Sequence, residues 1–153
     1  MQQRFRPTRV PLLLATVFAA MAAAGCGDDE ILGHDENEPN PNGLTIQVAG
    51  QTVTVANGAV QGSISVAAGT ETANFDIVFT LDGQALNPDA DFFLVGESAD
   101  TTIAEFHLVS PFHGHIEGHA AGSTSVVFKF MHPPGPDAHS NFDSPPIPIT
   151  VTP

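Results

Sequence analysis

The sequence predicts an all-β domain, a two-sheet sandwich of seven to nine short strands between Leu44 and Pro153. Three observations predict it. Apolar and polar residues alternate at period two in run after run. The runs are short and stop at Gly, Asn or Pro. No segment carries a helical stripe, the apolar recurrence at three and four residues that marks one face of a helix.

The elements follow in chain order. Thr52-Val53-Thr54-Val55-Ala56 alternates, and Ile64 and Val66 alternate with serines. Phe75, Ile77, Phe79 and Leu81 share one face, with Asn74, Asp76 and Thr80 on the other. Ala104, Phe106 and Leu108 are expected to point inward, with Glu105 and His107 outward. In the following run Gly114, Ile116 and Gly118 fall on the core side and His113, His115, Glu117 and His119 on the solvent side. Val109 to Phe112, with Pro111, would turn the chain between these two strands. Val126, Phe128 and Phe130 share a face from which Lys129 points away, and Ile147, Ile149 and Val151 alternate with Pro148, Thr150 and Thr152. Asn57-Gly58, Asp82-Gly83, Asn87-Pro88 and the proline-rich stretch at 133–136 are turn signals. Trp and Tyr are absent, so phenylalanine supplies the core aromatics. A domain of this size folds without a disulfide.

The chain of 153 residues has room for one ordinary domain. Its 17 acids outnumber four basic residues, for a formal charge of -13. Arg4, Arg6 and Arg9 are at the extreme N-terminus, and all the acids come after Cys26. Removal of the N-terminus there leaves Lys129 alone against the 17 acids, a charge of -16. Such a chain repels nucleic acid and anionic surfaces, which excludes nucleic acid as a partner class.

The N-terminus reads as an address. Basic residues precede a run of 13 apolar ones, Leu12 to Ala24 (LLLATVFAAMAAA), shorter than the ~20 that span a bilayer. The run ends in Ala23-Ala24-Gly25-Cys26 and resembles the lipobox of bacterial lipoproteins, with Ala23 where leucine is usual. The resemblance implies a signal peptide over 1–25 and a lipidated, palmitate-bearing Cys26 as the mature N-terminus. Cys26 is the single cysteine, so lipidation leaves no thiolate for catalysis, a disulfide or a metal. Gly27 rather than Asp follows it, which favours the outer membrane over retention in the inner one. Six acids and few apolar residues then mark 26–43 as a disordered acidic tether, with His34 solvated inside it. The globular domain is expected over 44–153.

Asp100-Thr-Thr-Ile-Ala-Glu-Phe and Gly114-His-Ile-Glu-Gly-His-Ala-Ala-Gly-Ser-Thr-Ser-Val-Val-Phe resemble the second half of a bacterial Ig-like domain of group 2. That family's usual tryptophan is replaced near Phe93 or Val95, and the resemblance covers residues 93–130. It implies an Ig-like Greek-key β-sandwich of the kind found on bacterial surface proteins, and no enzymatic activity.

Histidine is the local anomaly. Six of the seven histidines lie between His107 and His139. If the strands around Phe106 and Ile116 form a hairpin, Glu105 and His107 lie across from the His113–Glu117 row. Facing side chains on one sheet surface stand ~4.5–5.5 Å apart at Cβ, close enough for two imidazoles to share an ion. A second group, His132, Asp137 and His139, brackets a proline-stiffened loop that loses little entropy on ordering. Imidazole with carboxylate and without thiolate suits Zn²⁺, Cu²⁺ or Ni²⁺; blue copper is excluded because it needs a cysteine. The expected ligands are His113, His115, His132 and His139, then His107 and His119, with Asp137 and Glu117 as carboxylates and Zn²⁺ or Cu²⁺ as the ion. The plain alternative is that an exposed strand face needs polar residues and histidine serves; no fixed ligand spacing such as H-E-x-x-H is present.

His113-Gly114-His115 has the look of the copper-binding strand of copper–zinc superoxide dismutases, but that family's cysteine pair and metal-loop signature are missing. No G-x-S-x-G, P-loop or dinucleotide-binding turn is present, and Ser110, Ser123 and Ser144 read as ordinary turn or strand serines. The functional expectation is a lipid-anchored Ig-like module of the cell envelope that binds Zn²⁺ or Cu²⁺, not an enzyme. The alternative class is a structural, adhesive or protein-docking envelope module without a metal.

Overall fold

The computed structural model describes residues 38–153. The stretches expected to form a signal peptide and a tether, with Cys26 and His34, lie before Glu38 and outside the described residues. What is described is all-β and contains no helix.

Seven strands occupy the first half: β1 (Gly43–Val48), β2 (Gln51–Ala56), β3 (Ala59–Gln61), β4 (Ile64–Ala67), β5 (Thr70–Glu71), β6 (Phe75–Leu81) and β7 (Gln84–Ala85). Six follow: β8 (Phe93–Ser98), β9 (Ala104–Ser110), β10 (His113–Gly118), β11 (Gly122–His132), β12 (His139–Asp143) and β13 (Ile147–Thr152). They form an eight-stranded sheet, β3-β2-β1-β6-β10-β5 with β7 on β6 and β9 on β10. The other sheet has five strands, β12-β11-β13-β4 with β8 on β11. The two-sheet sandwich expected from alternation is therefore present, with 13 strands where seven to nine were expected. Much of the surplus has a physical cause. β5, β7 and β12 carry no apolar alternation, since they owe their strand geometry to a neighbour's backbone and not to a buried face of their own.

Tight turns set the register. Asn57-Gly58 and Asp82-Gly83 both take positive φ at both positions, joining β2 to β3 and β6 to β7. That pair of left-handed residues is the two-residue hairpin turn whose twist matches the strands it joins. Ala49-Gly50 does the same between β1 and β2 without a strong sequence signal.

The core lies between the sheets. Leu44, Ile46, Val53, Val55, Phe79 and Ile116 of one sheet, and Ile64, Val126, Phe128, Phe130, Ile147 and Ile149 of the other, are buried to within 2%. Phe79 meets Phe130 across the gap at 5.0 Å between ring centroids, and Phe106 meets Phe128 edge-on at 4.9 Å. Phe106 fits a notch left by two glycines. A Cβ on Gly96 would sit 2.3 Å from its Cδ1, and one on Gly114 would sit 2.5 Å from its Cζ.

Three expectations need correcting. Leu108 keeps the inward parity of Ala104 and Phe106 but is 51% exposed and not buried. The β9–β10 ladder shifts register next to Gly114, so β9 runs out past the covering sheet there. Ser144, read as an ordinary serine, is 4% exposed. Its Oγ accepts from Phe128 N–H at 3.0 Å, and its own N–H donates to the Phe128 carbonyl at 2.9 Å. Residues 38–42, read as the end of the tether, lie against the sandwich: Asn42 N–H donates to the Thr80 carbonyl and Pro41 is buried.

Candidate metal centre

β11 carries its inward row Val126, Phe128, Phe130 one step further, to His132. At this last position the strand reaches the rim of the sandwich, where the inward side chain has no opposite sheet to cover it. Phe92 stacks on the His132 ring at 4.5 Å and on Phe130 at 4.8 Å, so the imidazole continues the aromatic column of the core. The loop 133–138 then turns the chain back, and β12 opens with His139 as the register partner of His132. The two rings are 6.0 Å apart and nearly perpendicular, at 88°.

The third member comes from before β1. Glu38 Oε1 lies 3.2 Å from His132 Nδ1, and Glu38 Oε2 lies 4.0 Å from His139 Nε2. Asn141, on β12, donates from Nδ2 to Glu38 Oε2 at 3.2 Å. The side chains of Glu38, His132 and His139 are 10%, 18% and 39% exposed, so the group is sunk in the rim with one imidazole reaching solvent. One potential ligand atom from each of the three lies within 4.8 Å of the others. Bonds of about 2.0–2.1 Å to a tetrahedral zinc would separate ligand atoms by about 3.3 Å, so the three groups would draw together around an ion.

The hydrogen bonding presets one ligand atom. His139 Nδ1 lies 3.3 Å from the Asp137 carbonyl. A carbonyl only accepts, so Nδ1 is the donor in this bond and Nε2 is the ring atom turned toward Glu38. Asp137, expected to give its carboxylate as a ligand, contributes its main-chain oxygen instead, while its side chain is exposed. His132 Nδ1 is buried and has no hydrogen-bond partner, although Glu38 Oε1 is close.

The other expected ligands stand elsewhere. β9 and β10 do pair as a hairpin, and His107 faces His115 with rings stacked 5.3 Å apart. His113, His115, Glu117 and His119 point out of the eight-stranded sheet, opposite to the inward His132 of the other sheet. A composite centre of His113 and His115 with His132 and His139 is thus not formed. Each outer histidine instead has a carboxylate. His107 Nε2 is 3.1 Å from Glu117, His113 Nδ1 is 2.6 Å from Asp76, and His115 Nε2 is 3.6 Å from Glu71. His119 lies 3.8 Å from Glu117 and 3.9 Å from Glu105. This face is an exposed mosaic of alternating imidazole and carboxylate, and no three of its groups converge as the rim trio does.

Charge shifts occur away from the trio. Asp100 Oδ1 accepts from the Thr102 hydroxyl and amide, which holds its pKa below the usual carboxylate value. Lys129, the sole lysine or arginine among the described residues, is held by Glu97 at 2.8 Å, which raises its pKa. On the far side of Phe92 opens an apolar groove of about 540 Å³, lined among others by Phe93, Leu94, Leu108, Val109 and Phe112.

Two members of the rim cluster escaped the sequence reading. Glu38 was assigned to the tether on composition, and Asn141 was not singled out. One signal was available for the site's position: period two places His132 in the row of Val126, Phe128 and Phe130, on the core face.

No family model matches this chain, and no curated protein matches it in sequence. Among solved structures it is similar to "S-layer protein SbsC domains 4 and 5", with 15% identity and a TM-score of 0.40. That likeness covers 68% of this chain and 66% of the other, so it spans just under two thirds of that protein's length.

Proposed function

We propose that this protein is a lipid-anchored module of the bacterial envelope that binds Zn²⁺ or Cu²⁺ through Glu38, His132 and His139. The single observation that carries the reading is His132 Nδ1, buried without a hydrogen-bond partner and 3.2 Å from a carboxylate that is itself nine-tenths buried. A cation there gives His132 Nδ1 a partner, and a second imidazole stands within reach to complete the set. The donor chemistry, two imidazoles and a carboxylate with no sulfur, suits a borderline divalent ion. The lipobox-like run ending at Cys26 and the resemblance to bacterial Ig-like domains support attachment to the cell envelope, with Cys26 as the anchor and the outer membrane as its address. The role that fits is capture, buffering or handover of the ion.

The test is calorimetric titration with Zn²⁺ and with Cu²⁺ of the mature chain bearing Cys26→Ser, which removes the lipid and keeps Glu38. Stoichiometric binding at about pH 7.5 that is lost at about pH 5.5 is expected, because protonated imidazole cannot ligate. Binding only at millimolar metal would refute the reading.

A further inference from the structure

Leu108 and Val109, at 51% and 55%, are the most exposed large apolar side chains among the described residues. Both line the groove that opens beyond Phe92, together with Phe93, Leu94 and Phe112. A contiguous apolar surface on a strongly acidic domain is unfavourable in water until something covers it.

The strands that border the groove are both sheet edges. Among the described residues β8 pairs with β11 alone and β9 with β10 alone. The Phe106 amide donates to Ser98 Oγ at 3.2 Å, which ties the two edges together at that level. Further along β9, Leu108-Val109-Ser110 carries no charged side chain to deter another strand. An extended segment laid beside β9 there would form main-chain hydrogen bonds with the edge and set alternate side chains into the groove.

Charge decides what kind of segment fits. Asp89 lines the groove, and its Oδ1 accepts from the Asp91 amide at 3.0 Å, which fixes the carboxylate at the lip. The chain's 17 acids less the five before Glu38 leave 12 on the described residues, against Lys129, which Glu97 already holds. A second copy of this chain would bring like charge to that lip, and so would its own stretch 27–37, with five acids in 11 residues. A segment that carries Lys or Arg beside apolar residues matches both the groove and its rim.

We propose that the β8–β9 corner is a docking site for an extended segment of another protein, apolar at alternate positions and cationic, which adds as a strand to β9 and pairs a Lys or Arg with Asp89. The site is independent of the metal reading, since His132 stacks on Phe92 from the other side.

A phage-displayed library of random nine-residue peptides, selected on the Cys26→Ser mature chain, tests this. The recovered peptides are expected to alternate apolar residues and to carry Lys or Arg. The strongest of them, synthesised with a dye, is expected to bind saturably by fluorescence anisotropy. Leu108→Asp and Val109→Asp should each weaken it roughly tenfold or more, the order lost with a central apolar anchor. Both side chains are more than half exposed, so the fold does not depend on them; Leu81→Asp, 39% exposed elsewhere in the same sheet, should leave binding unchanged. Asp89→Asn should weaken binding and flatten its salt dependence. Methylation of the peptide amides on one edge should abolish binding, and methylation on the other edge should not. No enriched peptide, or binding indifferent to Leu108→Asp and Val109→Asp, overturns the docking site. Recovered peptides without a cation overturn the charge assignment. A dimer in sedimentation that Val109→Asp abolishes gives the groove to a second copy, and peptide binding that appears only after deletion of 27–37 gives it to the chain's own segment; either result overturns the proposal.

Discussion

His132 and His139 are register partners across the β11–β12 hairpin, with perpendicular rings 6.0 Å apart and the carboxylate of Glu38 within 3.2 Å of one and 4.0 Å of the other. The pair belongs to the rim of the core and not to the histidine-rich outer face, and that division can be tested directly.

Substitutions should separate the two groups of histidines. His132→Ala and Glu38→Gln are expected to lower Zn²⁺ affinity by at least tenfold to a hundredfold, the order seen when even an outer partner of a metal ligand is lost. His115→Ala, on the outer face, is expected to leave it unchanged. Calorimetric titration of the three variants decides; equal losses in all three would return the site to the outer face.

The glycine notch around Phe106 makes a paired prediction. Gly96→Ala should destabilise the domain by about 1–3 kcal/mol through overpacking, because the atoms nearest the new methyl belong to the Phe106 ring. Phe106→Leu introduced beside it should recover part of that loss. Gly114→Ala should resist such rescue, since its methyl also meets the His107 carbonyl at 2.4 Å, and a backbone cannot step aside as a ring can. Urea midpoints of the single and double variants measure this.

Ser144→Ala is expected to cost about 1–3 kcal/mol, out of proportion to one hydroxyl. The Oγ that it removes is the acceptor for the Phe128 amide, in a strand whose side chain is fully buried, so a donor is left unsatisfied. Chemical denaturation checks it; a change within experimental error would mean that another acceptor replaces Oγ.

The Asp100 turn should make a pH-dependent contribution. The Thr102 hydroxyl, then the Thr102 amide, hold the carboxylate below the ordinary aspartate value of 3.8, so the folded state favours the ionised form. That stabilisation is present above pH 3.8 and is lost as pH falls through the lower folded pKa. Asp100→Ala should therefore unfold at lower urea than the parent near neutrality, and the gap should narrow in acid. A gap that is constant with pH would contradict it.

Much of the fold was legible in the chain because alternation is a local property. Phe75, Ile77 and Phe79 announce an inward face whatever they pair with, and Asn57-Gly58 and Asp82-Gly83 mark hairpins by backbone preference alone. The outward row from His113 to His119 and its hairpin with the Glu105–His107 strand were legible for the same reason. β5, β7 and β12 were not, since pairing and not patterning makes them strands. Leu108 misled because its inward parity holds while the opposite sheet ends.

At the site, sequence separation set the limit. His132 and His139 were within reach as a pair, being close in sequence and joined by a stiff loop. Glu38 was not: it meets Asn141 from 103 residues away, and an acid among acids, prolines and asparagines carries no pattern to say that it will be buried. The sequence by itself determined an all-β chain with its inward faces and a histidine excess in one region, because period two and residue chemistry need no partner. Only the tertiary structure decided which histidines meet a carboxylate, because that depends on where two sheets end and on which distant segment closes over their rim.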